Sequence, residues 1–172
     1  MPINGCARWV GAAIVASALA VCGADTGIAA ADDKALSLQM PSAEGRSLRL
    51  SDLKGKVVLV KFWASWCPQC QEAYPKLAEL QRELRPRGVE IVAISVDEQR
   101  KNATAFLATH PSDLLVTFDP RGRVLEAFGA SAIPASFVLD RSGTVRYRHS
   151  GYTAESLAAY RREIETLLSL QD

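Results

Sequence analysis

Cys67 and Cys70 stand three positions apart where an apolar run meets a helical pattern. The run from Val57 to Trp63 is β-branched and aromatic and reads as a buried strand, apolar at nearly every position as suits a central strand covered on both faces. From Pro68 to about Leu84, Ala73, Leu77, Leu80 and Leu84 recur at helical spacing, with Glu79, Arg82 and Glu83 on the other side. A cysteine at such a junction meets the unpaired N–H groups and the positive dipole end of the helix. That environment stabilises a thiolate, so Cys67 is expected to have a depressed pKa and to attack. Pro68 suits the first helical position, where no N–H is needed. Cys70, one turn further along, can resolve a mixed disulfide. Thiolate attack followed by release through a second thiol is thiol–disulfide exchange, and it requires no metal or organic cofactor.

The remaining cysteines, Cys6 and Cys22, lie in the first thirty residues, leaving one Cys-x-x-Cys pair and no other thiol beyond them. Half of a zinc site is one alternative, but there is no second pair, and His110 and His149 are not in ligand spacing. An inert structural disulfide is another, but so short a loop contributes little folding entropy. In an oxidising compartment a lone close pair is better explained by reactivity. His110 and His149 read as a solvated cap and a structural residue at a strand end.

The N-terminal stretch points to that compartment. Arg8 is the only charge before Asp25, Trp9 to Val21 is apolar, and Ile28-Ala29-Ala30-Ala31 precedes Asp32-Asp33-Lys34. This is the pattern of a secretory signal over residues 1–31, cleaved near Ala29 to Ala31, with the functional domain over 32–172. The apolar run is shorter than the roughly 20 residues of a spanning helix. Leu19-Ala20-Val21-Cys22-Gly23 also resembles a lipoprotein box in which Cys22 would carry lipid, although Val21 stands where a small residue is usual. The formal charge of +1, from 20 Lys+Arg against 19 Asp+Glu, argues against a nucleic-acid partner.

Other elements must position the pair. Residues 36–53 read as two brief strands around a Gly turn, a β-hairpin. Pro75 predicts a kink within the first long helix. A second buried strand over Val89 to Val96 leads to a helix from about Gln99 to Thr109, a strand over Leu114 to Phe118, and a short helix near Val124 to Phe128. Strands over Ala135 to Leu139 and Val145 to His149 flank the turn Asp140-Arg141-Ser142-Gly143. A closing helix over Thr153 to Leu168 has Thr153 as expected N-cap and Leu157, Tyr160, Ile164, Leu167 and Leu168 facing inward. The order predicts one α/β domain with a mixed central sheet flanked by helices.

The segment Phe62-Trp63-Ala64-Ser65-Trp66-Cys67-Pro68-Gln69-Cys70 resembles the active-site segment of thioredoxin-like proteins. Leu53-Lys54-Gly55-Lys56-Val57-Val58-Leu59-Val60, Ile94-Ser95-Val96-Asp97, Phe118-Asp119-Pro120-Arg121-Gly122 and Ile133-Pro134-Ala135-Ser136-Phe137-Val138-Leu139-Asp140-Arg141-Ser142-Gly143 narrow the resemblance to the exported TlpA/ResA branch. It spans about Leu36 to Asp172. It implies a thioredoxin-like fold with an N-terminal hairpin and an insertion, Gln99 to Leu114, between the second and third core strands. It implies catalysis by Cys67 and Cys70, support from Trp66 and Pro68, and a cis peptide at Ile133-Pro134 presenting a backbone edge to substrate. The implied partners are protein disulfides or dithiols and a membrane thiol–disulfide electron donor. The implied setting is the bacterial periplasm, with a monomeric protein serving cytochrome c maturation or copper-site assembly.

Two positions depart from the family. Many members carry a Glu three residues after the second Cys, where this chain has Ala73. Glu72, about 100° away around a helix, does not inherit that role automatically. Thioredoxins place a buried acid where this chain has Lys61. An ammonium there would stabilise thiolates and make the pair more oxidising; alternatively Lys61 reaches solvent from a strand edge. Reductase therefore leads, with dithiol oxidase or isomerase as the rival. A peroxidase, whose usual Thr is replaced by Ala64, and a non-catalytic binding chaperone rank lower.

Overall fold

The computed structural model describes residues 33–170, so the expected signal, Cys6 and Cys22 lie outside the described residues. The chain forms α1 (Asp33–Ser37), β1 (Met40–Pro41), β2 (Ser47–Leu48), β3 (Val57–Trp63), α2 (Pro68–Leu84), β4 (Val89–Ser95) and α3 (Arg100–Thr109). It continues through β5 (Leu115–Phe118), α4 (Arg123–Ala127), β6 (Ala135–Leu139), β7 (Val145–Ser150) and α5 (Ser156–Ser169). Five strands make one mixed sheet in the order β5-β4-β3-β6-β7. β3 is central, parallel to β4 and antiparallel to β6. All residues of β3 and β4 are buried, which is why their sequences are nearly continuous apolar runs rather than alternating ones.

Strand alternation sends successive side chains to opposite faces, and each face has its own core. Val57, Leu59 and Trp63 pack under α2, α3 and α5 with Leu77, Leu80, Tyr160 and Ile164. Val58, Val60 and Phe62 pack under α1, α4 and the N-terminal segment with Met40, Leu50, Val124 and Phe128. Phe62, Phe128 and Phe137 meet with ring centroids 4.9–5.9 Å apart. On the opposite face Trp63, Tyr74 and Phe106 meet at 5.2–5.3 Å. A paired contact from Arg161 to Glu83 fastens α5 to α2.

Three expectations are refined. The hairpin exists as β1–β2, but it is shorter than residues 36–53: Leu36 belongs to α1, and Leu50–Leu53 form a 3-10 turn that buries Leu50 and Leu53. The hairpin also closes the β5 edge of the sheet, through the Ser42–Thr117 bridge and the Ala43 N–H donating to the Val116 carbonyl at 2.9 Å. The closing helix begins at Ser156 with Glu155 as N-cap, because the Ser156 hydroxyl accepts the Thr153 N–H at 2.9 Å and holds Thr153 in the preceding turn. Asp119 caps α4, its carboxylate accepting the N–H groups of Arg123, Val124 and Leu125 at 2.8–3.0 Å. α2 runs unbroken through Pro75.

Candidate active site

Cys67 is the N-cap of α2, with extended backbone (φ −90°, ψ 109°), and Pro68 opens the helix. The Cys70 N–H donates to Cys67 Sγ at 3.2 Å, so the sulfur takes the capping role usually filled by a side-chain oxygen. α2 carries no acidic residue in its first turn to oppose its dipole. Cys67 and Cys70 are joined as a disulfide, with Cα atoms 5.2 Å apart. Both sulfur-bearing residues are nearly covered, at 5% and 2% exposure, whereas Trp66 beside them is 66% exposed. Trp66 thus stands at the surface beside the covered pair and outside the core.

The turn before Cys67 is held from two sides. Ser65 donates its N–H and its hydroxyl to the Asp97 carboxylate at 2.9 and 2.7 Å. Gln71, in the first turn of α2, donates its side-chain amide to the Ser65 carbonyl at 2.6 Å. Asp97 follows β4 and is buried, and Ser95 braces it with a further hydrogen bond at 2.8 Å. The sequence marked Asp97 only as part of a family fragment, and Ser65 and Gln71 were not singled out. The pairing of β3 with β4 is what brings position 97 to the turn.

The Ile133–Pro134 peptide is cis. Register places Ala135 opposite Phe62, so Pro134 lies at the end of the sheet from which the Cys67 turn departs. Outside this loop is a cleft of about 230 Å³ bordered by Ile133, Pro134, Ser150 and Gly151.

Lys61 does not reach solvent. It is 2% exposed on the central strand, and its Nζ donates to Ser136 Oγ at 3.0 Å. The same nitrogen lies 5.3 Å from the Tyr152 ring centroid and 5.9 Å from that of Tyr160. Burial pushes its pKa from 10.5 down to about 8. The strand-edge alternative fails because β3 has neighbours on both sides and α2 and α5 above this face. Glu72 is exposed and pairs with Lys76 at 2.8 Å, while Ala73 is buried. His110 is the C-cap of α3 and stacks on Phe106 at 4.0 Å; His149 pairs with Glu163 at 2.8 Å. Among the described residues, no three His, Cys, Asp or Glu side chains group closely enough to hold a metal ion.

Residues 31–148 match the AhpC/TSA family. The chain belongs to this family. It is 33% identical over 122 residues to the thiol-disulfide oxidoreductase ResA of Bacillus thuringiensis subsp. konkukian, covering 70% of each chain. It is 28% identical over 134 residues to ResA of Halalkalibacterium halodurans, covering 78% of this chain and 76% of that one. Among solved structures, a candidate thiol:disulfide interchange protein DsbE from Chlorobium tepidum superposes with a TM-score of 0.74 at 33% identity, over 77% of this chain and 93% of that one. This AhpC/TSA member therefore has the thioredoxin-like fold and is a thiol–disulfide oxidoreductase of the ResA/DsbE type, carrying the Cys67–Cys70 pair at disulfide distance.

Proposed function

We propose that the protein is an exported, periplasmic reductase that keeps cysteines of particular exported substrates reduced, as in cytochrome c maturation or copper-site assembly. Cys67 attacks the substrate disulfide and forms a mixed disulfide. Cys70 then attacks Cys67 Sγ, releasing the reduced substrate and closing the pair. Trp66 and the Ile133–Pro134 loop receive the substrate chain, and Pro68 shapes the helix start. A membrane thiol–disulfide relay returns electrons to the pair. The observation that carries this reading is Cys67 at the N-cap of a 17-residue helix with no first-turn acid, backed by a buried second sulfur. Export is supported by the apolar segment Trp9 to Val21 ahead of Ala29-Ala30-Ala31. Among the described residues no helix is long and apolar enough to cross a membrane.

The buried Lys61 favours a second reading, a dithiol oxidase or isomerase, because a cation in the dithiol layer stabilises the reduced pair. The equilibrium reduction potential against glutathione and dithiothreitol buffers separates the two. A value near about −270 mV supports the reductase, and one near about −120 mV the oxidant.

A further inference from the structure

Among the described residues, Lys61 is the one lysine or arginine that is buried, and its hydrogen-bond acceptor is a hydroxyl rather than a carboxylate. Burying an ammonium without a counter-ion is costly, and such a site is relieved either by losing the proton or by gaining an anion. The dithiol can supply that anion. Along β3, Val57, Leu59 and Trp63 share Lys61's face of the strand, and all three belong to the cluster that contains Cys67, Cys70, Tyr152 and Tyr160. The Lys61 ammonium lies over the rings of those two tyrosines, within the layer between the sheet and α2.

The charged groups around this layer are already engaged, while the buried Tyr152 hydroxyl and Trp63 Nε1 have no hydrogen-bond partner. β6 contributes Ser136, whose hydroxyl joins Lys61 to the Tyr160 phenol at 2.8 Å. β7 contributes His149, in register with Ser136 and paired to Glu163 of α5. On α2, Tyr74 bonds Ser112 at 2.8 Å, and Lys76, near the Tyr152 ring at 5.8 Å, is paired with Glu72. β4 sets Ala93 opposite Lys61, while Glu90 is held by Lys56 and Gln81, and Asp97 beyond the strand is held by Ser65 and Ser95. α3 gives this layer Ala103, Phe106 and Leu107, with His110 stacked on Phe106.

We propose that Lys61 is a positioning residue whose charge follows the redox state of the pair, binding a proton when the Cys67–Cys70 disulfide is reduced and releasing it when the disulfide forms. The proposal rests on the dithiol assignment above. When a donor dithiol reduces the protein, its two electrons break the Cys67–Cys70 bond and its own S–S bond forms. Of its two protons, one goes to Cys70 and the other to Lys61, leaving Cys67 as the thiolate and Lys61 as a new ammonium in the same buried layer. When the reduced pair attacks a substrate disulfide, both protons pass to the substrate's two sulfurs. Because burial has already brought Lys61 to about 8 in the disulfide form, this exchange operates in mildly alkaline solution. Below that pH Lys61 is charged in both states and acts as a standing counter-charge to the thiolate.

The test titrates the Lys61 side chain of the intact protein by NMR in the oxidised and the reduced form. Proton affinity at Lys61 is expected to be about tenfold or more higher in the reduced form, the size of one close charge interaction. Equal titration in the two forms overturns the proposal. In parallel, the equilibrium with glutathione is followed from pH 6 to 10 for the protein and for Lys61→Met. At pH 7 Lys61→Met is expected to shift it about tenfold toward the disulfide, about 30 mV for this two-electron couple. That difference should vanish as pH rises past the reduced-form titration. Curves that run parallel, with or without an offset, overturn the proposal. Reduction of a protein disulfide, assayed separately with the unmodified protein, reports on the reductase reading, so the two ideas can fail independently.

Discussion

Ser65 gives both its backbone N–H and its hydroxyl to the carboxylate of Asp97, 32 positions away in sequence, at 2.9 and 2.7 Å. The relationship makes the turn ahead of Cys67 an extension of the sheet rather than a free loop. Asp97→Ala leaves the half-buried Ser65 N–H and the buried Ser95 hydroxyl without their acceptor. The expected cost is about 1–3 kcal/mol, set mainly by the buried Ser95 hydroxyl, because the half-buried Ser65 N–H can turn to water. Urea unfolding measures it. Exchange with a model disulfide should slow as well, and wild-type rates in a destabilised Asp97→Ala protein would show that the tether does not position Cys67.

The two cysteines should fail differently. Cys67→Ser removes the proposed nucleophile, so reduction of a protein disulfide should fall to background. Cys70→Ser keeps the attack and loses the resolving step, so it should accumulate a covalent mixed disulfide through Cys67, visible by mass spectrometry under non-reducing conditions. Adducts forming on Cys70 in Cys67→Ser at comparable rates would reverse the assignment.

The core opposite the dithiol is expected to bear on stability alone. Phe128→Ala removes a buried ring packed against Phe62 and Phe137. The loss should be about 3–5 kcal/mol by chemical denaturation. The reduction potential, measured where the variant is still folded, should not move.

Stability of the oxidised protein should depend on pH through Lys61. Its pKa is lowered from 10.5 to about 8 by desolvation, so between those values the unfolded chain binds more protons than the folded one. Stability therefore rises with pH across that window, by about 3 kcal/mol at 1.36 kcal/mol per unit. Lys61→Met should lack this rise. Identical pH profiles for the two proteins in denaturant titrations would show that Lys61 does not change charge on folding.

Local chemistry made the dithiol legible without coordinates. The run 57–63, Pro68 after Cys67, and the helical spacing of Ala73, Leu77, Leu80 and Leu84 identify a buried strand leading into a helix N-terminus, and β3 and α2 have those bounds. Such features are properties of neighbouring residues: periodicity, a proline's fixed φ, a cysteine's place relative to a helix start. What surrounds Lys61 is of another kind. Ser136 lies 75 positions away and is brought opposite Lys61 by the antiparallel register of β3 and β6. Tyr152 and Tyr160 reach it from beyond β7. Whether a lysine in an apolar strand snorkels or stays buried depends on which strands flank it and which helix covers it, and that is decided only when the sheet assembles. The same holds for Asp97 and Ser65, and for the hairpin, which is held at the edge of β5 through Ser42 and Ala43. Sequence alone determined the cysteine pair and the elements that carry it; tertiary structure decided its electrostatic surroundings, because charge, burial and hydrogen-bond partners come from residues remote along the chain.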